Sequence, residues 1–302
     1  MIIPNFVNYL NSVSKQPENY LYYYTKGDSL FKILDNLSIQ VSRYNNVNDL
    51  DEANLDCLGR DWPKRFDLRP FIYKNCCFIS FVRNIIAERR NILGTEHPRM
   101  WAQYGEDNQG ACIIINKDNL LKRIGETHEI SYSDIGDIDY KWDKCVSSEK
   151  TEEIIDFCRN ANEEEILINY SKEMLLTKHK DWEQERESRL YIIRKNKIYE
   201  REDEKKMKVS IDGCIEGICL GYKFLDDTER VIKLSKLLSD TNYKYCNQIK
   251  LDAFGLIVSP ERGYVSWPIN ETTHLPIKLN SIINPMIKLL NENYPLKYVN
   301  PA

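Results

Sequence analysis

A short segment past the middle of the chain carries two acids and an arginine at alternating positions. Glu185, Glu187 and Arg189 are followed at once by the apolar and aromatic residues 190–193. If a strand starts near Glu185, its period of two places all three charged side chains on one face. Buried charges must be paired, so two carboxylates and an arginine in a row are unusual in an ordinary core. They are typical of an active-site cleft, where coupled carboxylates and an arginine can take part in catalysis. The segment is therefore a candidate catalytic site.

The same residues also fit other structures. In a helix, Glu183 and Glu187, and likewise Glu185 and Arg189, are spaced four residues apart, and the row becomes a solvated face with one favourable pair. A third interpretation joins the two alternating acids to the acids of residues 49–52 as a carboxylate cluster for metal ions, as in two-metal nucleases. No lysine accompanies these acids at a nuclease-like spacing. The local sequence leaves these interpretations open.

The composition excludes several common classes of protein. With 302 residues, of which 42% are hydrophobic, the chain can build a core and is not wholly disordered. The formal net charge of −4 gives no overall positive field for nucleic acid. The sequence has neither a Gly-x-Gly-x-x-Gly segment nor a P-loop. It therefore lacks the phosphate cradle of the common dinucleotide- and NTP-binding folds.

The cysteines and the start of the chain predict a cytoplasmic protein. Nine cysteines are present without a Cys-x-x-Cys pair, and the four histidines form no His-Glu-x-x-His motif. Reduced, buried thiols fit this pattern best, and neither a zinc site nor a disulfide framework is expected. Residues 1–5 do not begin a secretory signal, and no apolar run approaches the ~18 residues of a membrane span. We expect no metal and no membrane contact.

The pattern along the chain predicts an α+β fold of short strands with flanking helices. Alternating, aromatic and β-branched runs predict strands at residues 21–25, 37–42, 76–81, 111–115, 129–132, 215–221 and 253–258. Apolar residues at helical spacing predict helices at residues 30–34, 151–180, 227–238 and 282–290. The strand at residues 76–81 is expected to be buried on both faces. We predict one α+β domain over residues 1–230, with residues 231–302 as a C-terminal extension packed on it.

Several short motifs, taken in order, resemble a large, mainly bacterial family known as domain of unknown function 2971. The resemblance spans about residues 20–225 and is carried by Tyr22-Tyr23-Tyr24-Thr25, Asn48-Asp49 with Glu52, Ser80 at a strand end, Met100-Trp101-Ala102-Gln103-Tyr104 with Gly110, Ser131-Tyr132, and Lys178, Trp182, Glu185, Glu187 and Arg189. Leu50 stands where the family usually has proline. Each motif is short, and their order and spacing make the resemblance specific. The family implies no established activity.

The order of these motifs is also similar to that of the ADP-ribosyltransferase superfamily. In that superfamily, aromatic residues lie on an early strand, a hydroxyl on a middle strand and a Glu-x-Glu at the start of a late strand. The resemblance implies a mixed or split β-sheet that binds NAD without a glycine-rich loop. It is a resemblance of architecture and motif order.

The ADP-ribosyltransferase resemblance implies catalytic roles for three residues. Glu187 is expected to hold the ribose and to stabilise an oxocarbenium-like transition state after nicotinamide leaves. Glu185 is expected to handle the acceptor, and Ser80 to orient the carboxylate of Glu187. These three residues form the predicted catalytic set.

The same resemblance implies which residues bind NAD. Tyr24 or Tyr104 is expected to stack on the nicotinamide, and Arg43 or Arg189 to bind the pyrophosphate in a bidentate manner. Asn48 would add a further polar group to the NAD-binding site, although an Asx-turn is the commoner explanation for such a residue.

Three functions follow as expectations. The first is an NAD-dependent ADP-ribosyltransferase, a toxin or phage-defence effector that acts on nucleic acid or protein. The alternatives are a metal-dependent nuclease and a non-catalytic module that binds a nucleotide or a partner. NAD consumption identifies the first function and magnesium-dependent cleavage the second. Stabilisation by a ligand without either reaction identifies the third.

Overall fold

Antiparallel strands and short helices make up the part of the chain that the structure describes. The computed structural model describes residues 16–44, 68–86, 92–127, 130–142, 148–171, 175–195, 207–239, 258–259 and 264–265. The strands β1 to β13 are, in chain order, Tyr20–Thr25, Ser38–Gln40, Ser42–Arg43, Cys76–Val82, Ala111–Asn116, Ile130–Asp137, Asp139–Lys141, Thr177–His179, Glu187–Arg194, Lys208–Ser210, Ile215–Leu220, Val258–Ser259 and Tyr264–Val265. The helices α1 to α7 are Gly27–Asn36, Arg69–Asn75, Pro98–Gln103, Lys117–Gly125, Ser148–Cys158, Glu163–Asn169 and Thr228–Ser239. The predicted α+β class is confirmed.

The chain divides into two compact units, each assembled from segments far apart in sequence. Unit 1 comprises Met1–Leu37, Asn84–Lys117 and Asp212–Ala302, and unit 2 comprises Ser38–Arg83 and Asp118–Ile211. Most of the predicted C-terminal extension, residues 231–302, lies outside the described residues. Its packing on the rest of the chain therefore stays a prediction.

Unit 1 is built on strands β11, β5 and β1, which are hydrogen-bonded antiparallel in that order. Their isoleucine, cysteine and tyrosine side chains are buried almost throughout, as expected of strands covered on both faces. Helix α1 buries Leu30, Phe31 and Leu34 from one face. Trp101 of α3 is fully buried, and its indole N–H donates a hydrogen bond to the carbonyl of Thr95.

Unit 2 contains strands β3, β4, β9 and β6, which are hydrogen-bonded antiparallel in that order. Directly opposed residues of antiparallel strands point to the same face. The register therefore places the even-numbered residues of β4 and the odd-numbered residues of β9 on one face. Towards the Cys76 end of β4 this face is apolar and is covered by side chains from α2, α5 and α6. Towards the other end it carries polar residues.

A second, parallel pair of strands in unit 2 joins β7 to β8. Its register places Tyr140 opposite Lys178 and Lys141 opposite His179. The chain runs from β8 through a 3₁₀ helix, Lys180–Glu185, directly into β9. This parallel pair therefore leads into the candidate catalytic segment.

The predicted helix at residues 151–180 is interrupted at residues 159–162, and the prediction is wrong at residues 177–179. Helix α5 ends at Cys158, and α6 starts anew with a capping box in which Asn162 and Glu165 exchange side-chain and backbone hydrogen bonds. Residues 177–179 form a strand, because pairing with β7 overrides their local preference. The predicted strand at 253–258 and helix at 282–290 lie almost wholly outside the described residues. Among the residues that are described, no helix has the length and apolar character to cross a membrane.

Candidate active site

Strand β9 begins at Glu187, later than the sequence predicted. Glu185 is the last residue of the 3₁₀ helix Lys180–Glu185, and Arg186 after it adopts a left-handed conformation with φ of 51°. The prediction that Glu185 lies on the strand is therefore wrong. The N–H of Arg186 donates, and its carbonyl accepts, a backbone hydrogen bond, which fixes this turn. Glu187 and Arg189 do share one face of β9, as the period of two predicted.

The hydroxyl of Ser80 donates a 2.5 Å hydrogen bond to Oε1 of Glu187. The two residues are 107 positions apart in sequence, and the pairing of β4 with β9 brings them together. Ser80 is exposed although the other residues of β4 are buried, so the prediction of a strand buried throughout fails at this position. Glu187 is only 3% exposed. A solvent-exposed hydroxyl is thus hydrogen-bonded to a buried carboxylate. The contact predicted between Ser80 and Glu187 is present.

Arg189 is buried and holds Glu187 with a forked contact. Its Nε and Nη2 each lie 2.8 Å from Oε1 of Glu187, and its Nη1 donates to the carbonyl of Leu175 at 3.2 Å. The guanidinium carbon lies 4.3 Å from the ring centroid of Phe78 and 5.7 Å from that of Tyr44. These contacts direct the cation to the carboxylate. The pyrophosphate contact that the sequence suggested for Arg189 stays a prediction.

Two residues to which the sequence analysis gave no chemical role complete the cluster. Nζ of Lys178 lies 2.7 Å from Oε2 of Glu185 and 3.3 Å from Oε2 of Glu187, and 4.7 Å from the ring centroid of Trp182. The hydroxyl of Tyr140 accepts a 2.8 Å hydrogen bond from the backbone N–H of Glu187. The Lys-x-x-x-Trp spacing was the available indication in the sequence. Tyr140 had none, because its position depends on the pairing of β7 with β8.

Two acids and two bases form a buried, charge-balanced cluster. Each is at most 5% exposed, and they are Lys178, Glu185, Glu187 and Arg189. Burial raises the pKa of Glu187, but the charges of Arg189 and Lys178 and the hydrogen bonds from Ser80 and Arg189 outweigh it, so the pKa falls below its usual value. Burial raises the pKa of the Tyr140 phenol, which therefore stays neutral. Glu187 is an anion at neutral pH.

The lowered pKa of Glu187 predicts a loss of stability in acid. An unfolded chain has the ordinary carboxyl pKa, near 4.5, and the folded value is lower, so the unfolded state binds more protons between the two values. The stabilisation is complete above the ordinary pKa and is lost as the pH falls through the folded value. We expect the melting temperature to fall more steeply between pH 6 and pH 3 for the wild type than for Glu187→Gln. Parallel pH profiles would contradict this assignment.

The two tyrosines predicted to stack on nicotinamide belong to unit 1, whereas the charged cluster belongs to unit 2. The hydroxyl of Tyr24 donates to the carbonyl of Gly94 at 2.7 Å, and its ring meets that of Trp101 edge-on at 5.0 Å. Tyr104 caps the C-terminal end of α3 and is half-buried. Their convergence with Glu187 stays a prediction.

Arg43 lies on β3 opposite Cys77 of β4. Residues of odd number on β4 point away from the face that carries Ser80, so the structure does not bring Arg43 to that face. Its predicted contact with the pyrophosphate stays a prediction. Asn48 lies outside the described residues.

The carboxylate cluster of the nuclease alternative rests partly on residues 49–52, which also lie outside the described residues. Glu185 and Glu187, its other members, contact Lys178 and Arg189. Across the described ranges, no group of three or more His, Cys, Asp or Glu side chains is placed to hold a metal ion. The metal-dependent alternative therefore stays a prediction.

Comparison with known proteins finds a family model that is similar to the central part of the chain. Residues 100–190 match the model of the family described as protein of unknown function (DUF2971). The match runs from α3 to the part of β9 that holds Glu187 and Arg189, and it confirms the family resemblance for the motifs within these residues. No curated protein and no solved structure matches the chain.

Proposed function

We propose that this chain, whose residues 100–190 match the DUF2971 family model, is an ADP-ribosyltransferase-type enzyme that uses NAD. In this reaction the bond between the nicotinamide nitrogen and ribose C1 breaks, and its electron pair leaves with nicotinamide. A lone pair of the acceptor forms the new bond to C1, and the acceptor loses a proton. A nucleic acid or protein acceptor becomes ADP-ribosylated, and water as acceptor gives ADP-ribose. Glu187 supplies the negative charge that favours the cationic ribose.

The observation that carries this proposal is the hydrogen bond between an exposed serine and a buried, anionic glutamate. Ser80 is open to solvent within a strand that is otherwise buried, and it holds Oε1 of Glu187 at 2.5 Å. A fixed carboxylate in a water-poor site stabilises positive charge more strongly than one in water. A substrate that reaches the Ser80 hydroxyl is therefore adjacent to that carboxylate.

Oε2 of Glu187 is the oxygen that we assign to a ribose hydroxyl. Oε1 accepts hydrogen bonds from Ser80 and Arg189. Oε2 takes a long contact of 3.3 Å from Lys178, whose ammonium lies closer, at 2.7 Å, to Glu185. A ribose hydroxyl can replace the longer contact with a short, charge-assisted hydrogen bond, while Lys178 stays paired with Glu185.

Glu185 is the second carboxylate of the proposed mechanism. It is held at the end of the 3₁₀ helix that precedes β9, and its Oε2 lies 2.7 Å from Nζ of Lys178. We propose that Glu185 acts as the general base and takes up the proton that the acceptor loses.

Substitution of Ser80 tests the proposal, and the chain offers a matched control. Ser188 is a buried serine on β9, and its hydroxyl donates to a carboxylate oxygen of Asp137 instead. Loss of a hydrogen bond to a charged group costs about 1.5–3 kcal/mol. We expect Ser80→Ala to lower the rate of nicotinamide release from NAD by about ten- to a hundredfold, and Ser188→Ala to leave it within about twofold of the wild type.

The measurement is nicotinamide release by the purified chain, with RNA, DNA and protein acceptors supplied in turn and water alone as the fourth condition. A wild-type chain that releases no nicotinamide with any acceptor would contradict the proposal. Magnesium-dependent cleavage of a nucleic acid in the same samples would favour the nuclease instead. If Ser80→Ala and Ser188→Ala lower the rate of nicotinamide release equally, Ser80 has no specific role in the reaction.

The charge balance of the buried cluster favours a second candidate, a non-catalytic binding module. Two carboxylates paired with two cations need no substrate to neutralise them, and such clusters also serve to fix a fold. In that case NAD would raise the melting temperature without being consumed. Melts with and without NAD, followed by product analysis, distinguish the two functions.

A further inference from the structure

Trp142 exposes its side chain at the end of strand β7. It is 71% exposed, whereas tryptophan is on average a highly buried residue. Trp101 is fully buried and Trp182 partly buried. Exposed tryptophans concentrate at binding surfaces, because the ring offers a large apolar area and a face that attracts cations.

A histidine contacts this ring, and an aspartate contacts the histidine. The rings of Trp142 and His179 are nearly perpendicular, at 82°, with centroids 5.6 Å apart. The carboxylate of Asp181 lies 3.4 Å from Nδ1 of His179, and its side chain is 70% exposed. The three residues define one surface, which we term the Trp142 surface.

Asp181 contacts His179 through its backbone as well as its side chain. The backbone N–H of Asp181 donates to Nδ1 of His179 at 3.3 Å. The carboxylate of Asp181 lies open to solvent beside this contact.

The charged side chains of the described residues in the flanking segments carry an excess of one acid. Lys141 pairs with Asp139 at 2.9 Å, and Lys180 pairs with Glu183 at 2.5 Å. Together with Asp181, the described residues that flank Trp142 and His179 thus include three acids against two lysines with solvent-accessible side chains. Nucleic acid binds mainly through neutralisation of its phosphates by basic side chains, so the charge of this surface disfavours nucleic acid and favours a cation.

We propose that the Trp142 surface binds an arginine side chain presented by a basic segment of a partner protein. The planar guanidinium stacks on an indole face and at the same time donates a fork of hydrogen bonds to a carboxylate. Trp142 and Asp181 offer these two groups. Lysine fits less well, because its ammonium is strongly hydrated and has no plane to stack. The interaction goes beyond the proposed reaction and requires neither NAD nor Glu187.

The test is a titration of the full chain with a short peptide, acetyl-Gly-Arg-Gly-Arg-Gly-amide, by calorimetry or NMR. An exposed cation–π contact contributes about 0.5–1 kcal/mol, so Trp142→Ala should weaken binding by about two- to fivefold. Asp181→Asn should weaken it by a similar factor, and the double variant by about tenfold. Ile232→Ala supplies a matched control, because Ile232 is an exposed apolar residue of α7 in unit 1.

The same peptide with citrulline in place of arginine keeps the shape and removes the charge, so it should not bind. Melts of each variant should match the wild type, because both substituted side chains are exposed. Equal affinity for the citrulline peptide, no binding of the arginine peptide at millimolar concentration, or no effect of Trp142→Ala would each overturn the proposal. Tighter binding of a single-stranded oligonucleotide that is sensitive to Trp142→Ala would assign the surface to nucleic acid instead.

Discussion

Replacement of Glu187 by glutamine should lower the rate of nicotinamide release by about 10²–10³-fold, the usual loss when a transition-state electrostatic stabiliser is removed. Glutamine keeps the size of the side chain and can still accept the hydrogen bond from Ser80. It removes the negative charge that, in our proposal, faces the oxocarbenium-like ribose. The measurement is nicotinamide release by equal amounts of folded wild-type and variant chain.

The same substitution should also destabilise the fold, which the assay must allow for. Arg189 and Lys178 remain buried beside a neutral amide, and loss of one partner of a buried ion pair costs up to about 3–5 kcal/mol. Rates should therefore be compared at a temperature where melts show both chains folded. Tyr191→Phe is a matched control, because it lies on the same face of β9 and loses its 2.9 Å hydrogen bond with Ser171. If Glu187→Gln is no slower than Tyr191→Phe, Glu187 is not a catalytic residue.

The alternation of residues 187–193 was enough to predict that Glu187 and Arg189 share a face. Alternation fixes the faces of a strand by geometry alone, whatever the strand pairs with. The contact with Ser80 needed the order of the family motifs as well, since nothing local connects residues 107 positions apart. Both predictions depended on strands long enough to show a pattern.

Features set by tertiary contacts could not be predicted in this way. The start of β9 depends on the left-handed turn at Arg186, whose carbonyl accepts from the N–H of Arg83 in a distant segment. Lys178 lies on a strand of three residues that exists through pairing with β7. The exposure of Ser80 depends on where the helices that cover this face of the sheet end. The sequence of β4 alone cannot predict that.

Replacement of Arg189 by methionine should lower the free energy of unfolding by about 3–5 kcal/mol, because it leaves two buried carboxylates, Glu185 and Glu187, to share the single cation of Lys178. Methionine fills much of the same volume and can keep contact with Phe78 and Tyr44, so the loss reports mainly on charge. The measurement is urea denaturation followed by tryptophan fluorescence, with the midpoint and slope compared. Arg83→Met is the matched control, because Arg83 forms a 2.5 Å pair with Asp137 that is about half exposed on both sides. An exposed pair contributes about 0–1 kcal/mol.

A double variant that keeps the charges of the cluster balanced gives a more specific test. Glu187→Gln combined with Arg189→Met removes one acid and one base, and leaves Lys178 paired with Glu185 at 2.7 Å. The double variant should therefore be more stable than Arg189→Met alone, because the Glu187→Gln change removes the excess negative charge that Arg189→Met leaves in the cluster. Additive losses would show that the two side chains act independently. The cluster would then not be the coupled unit on which the anionic state of Glu187, and with it the proposed chemistry, depends.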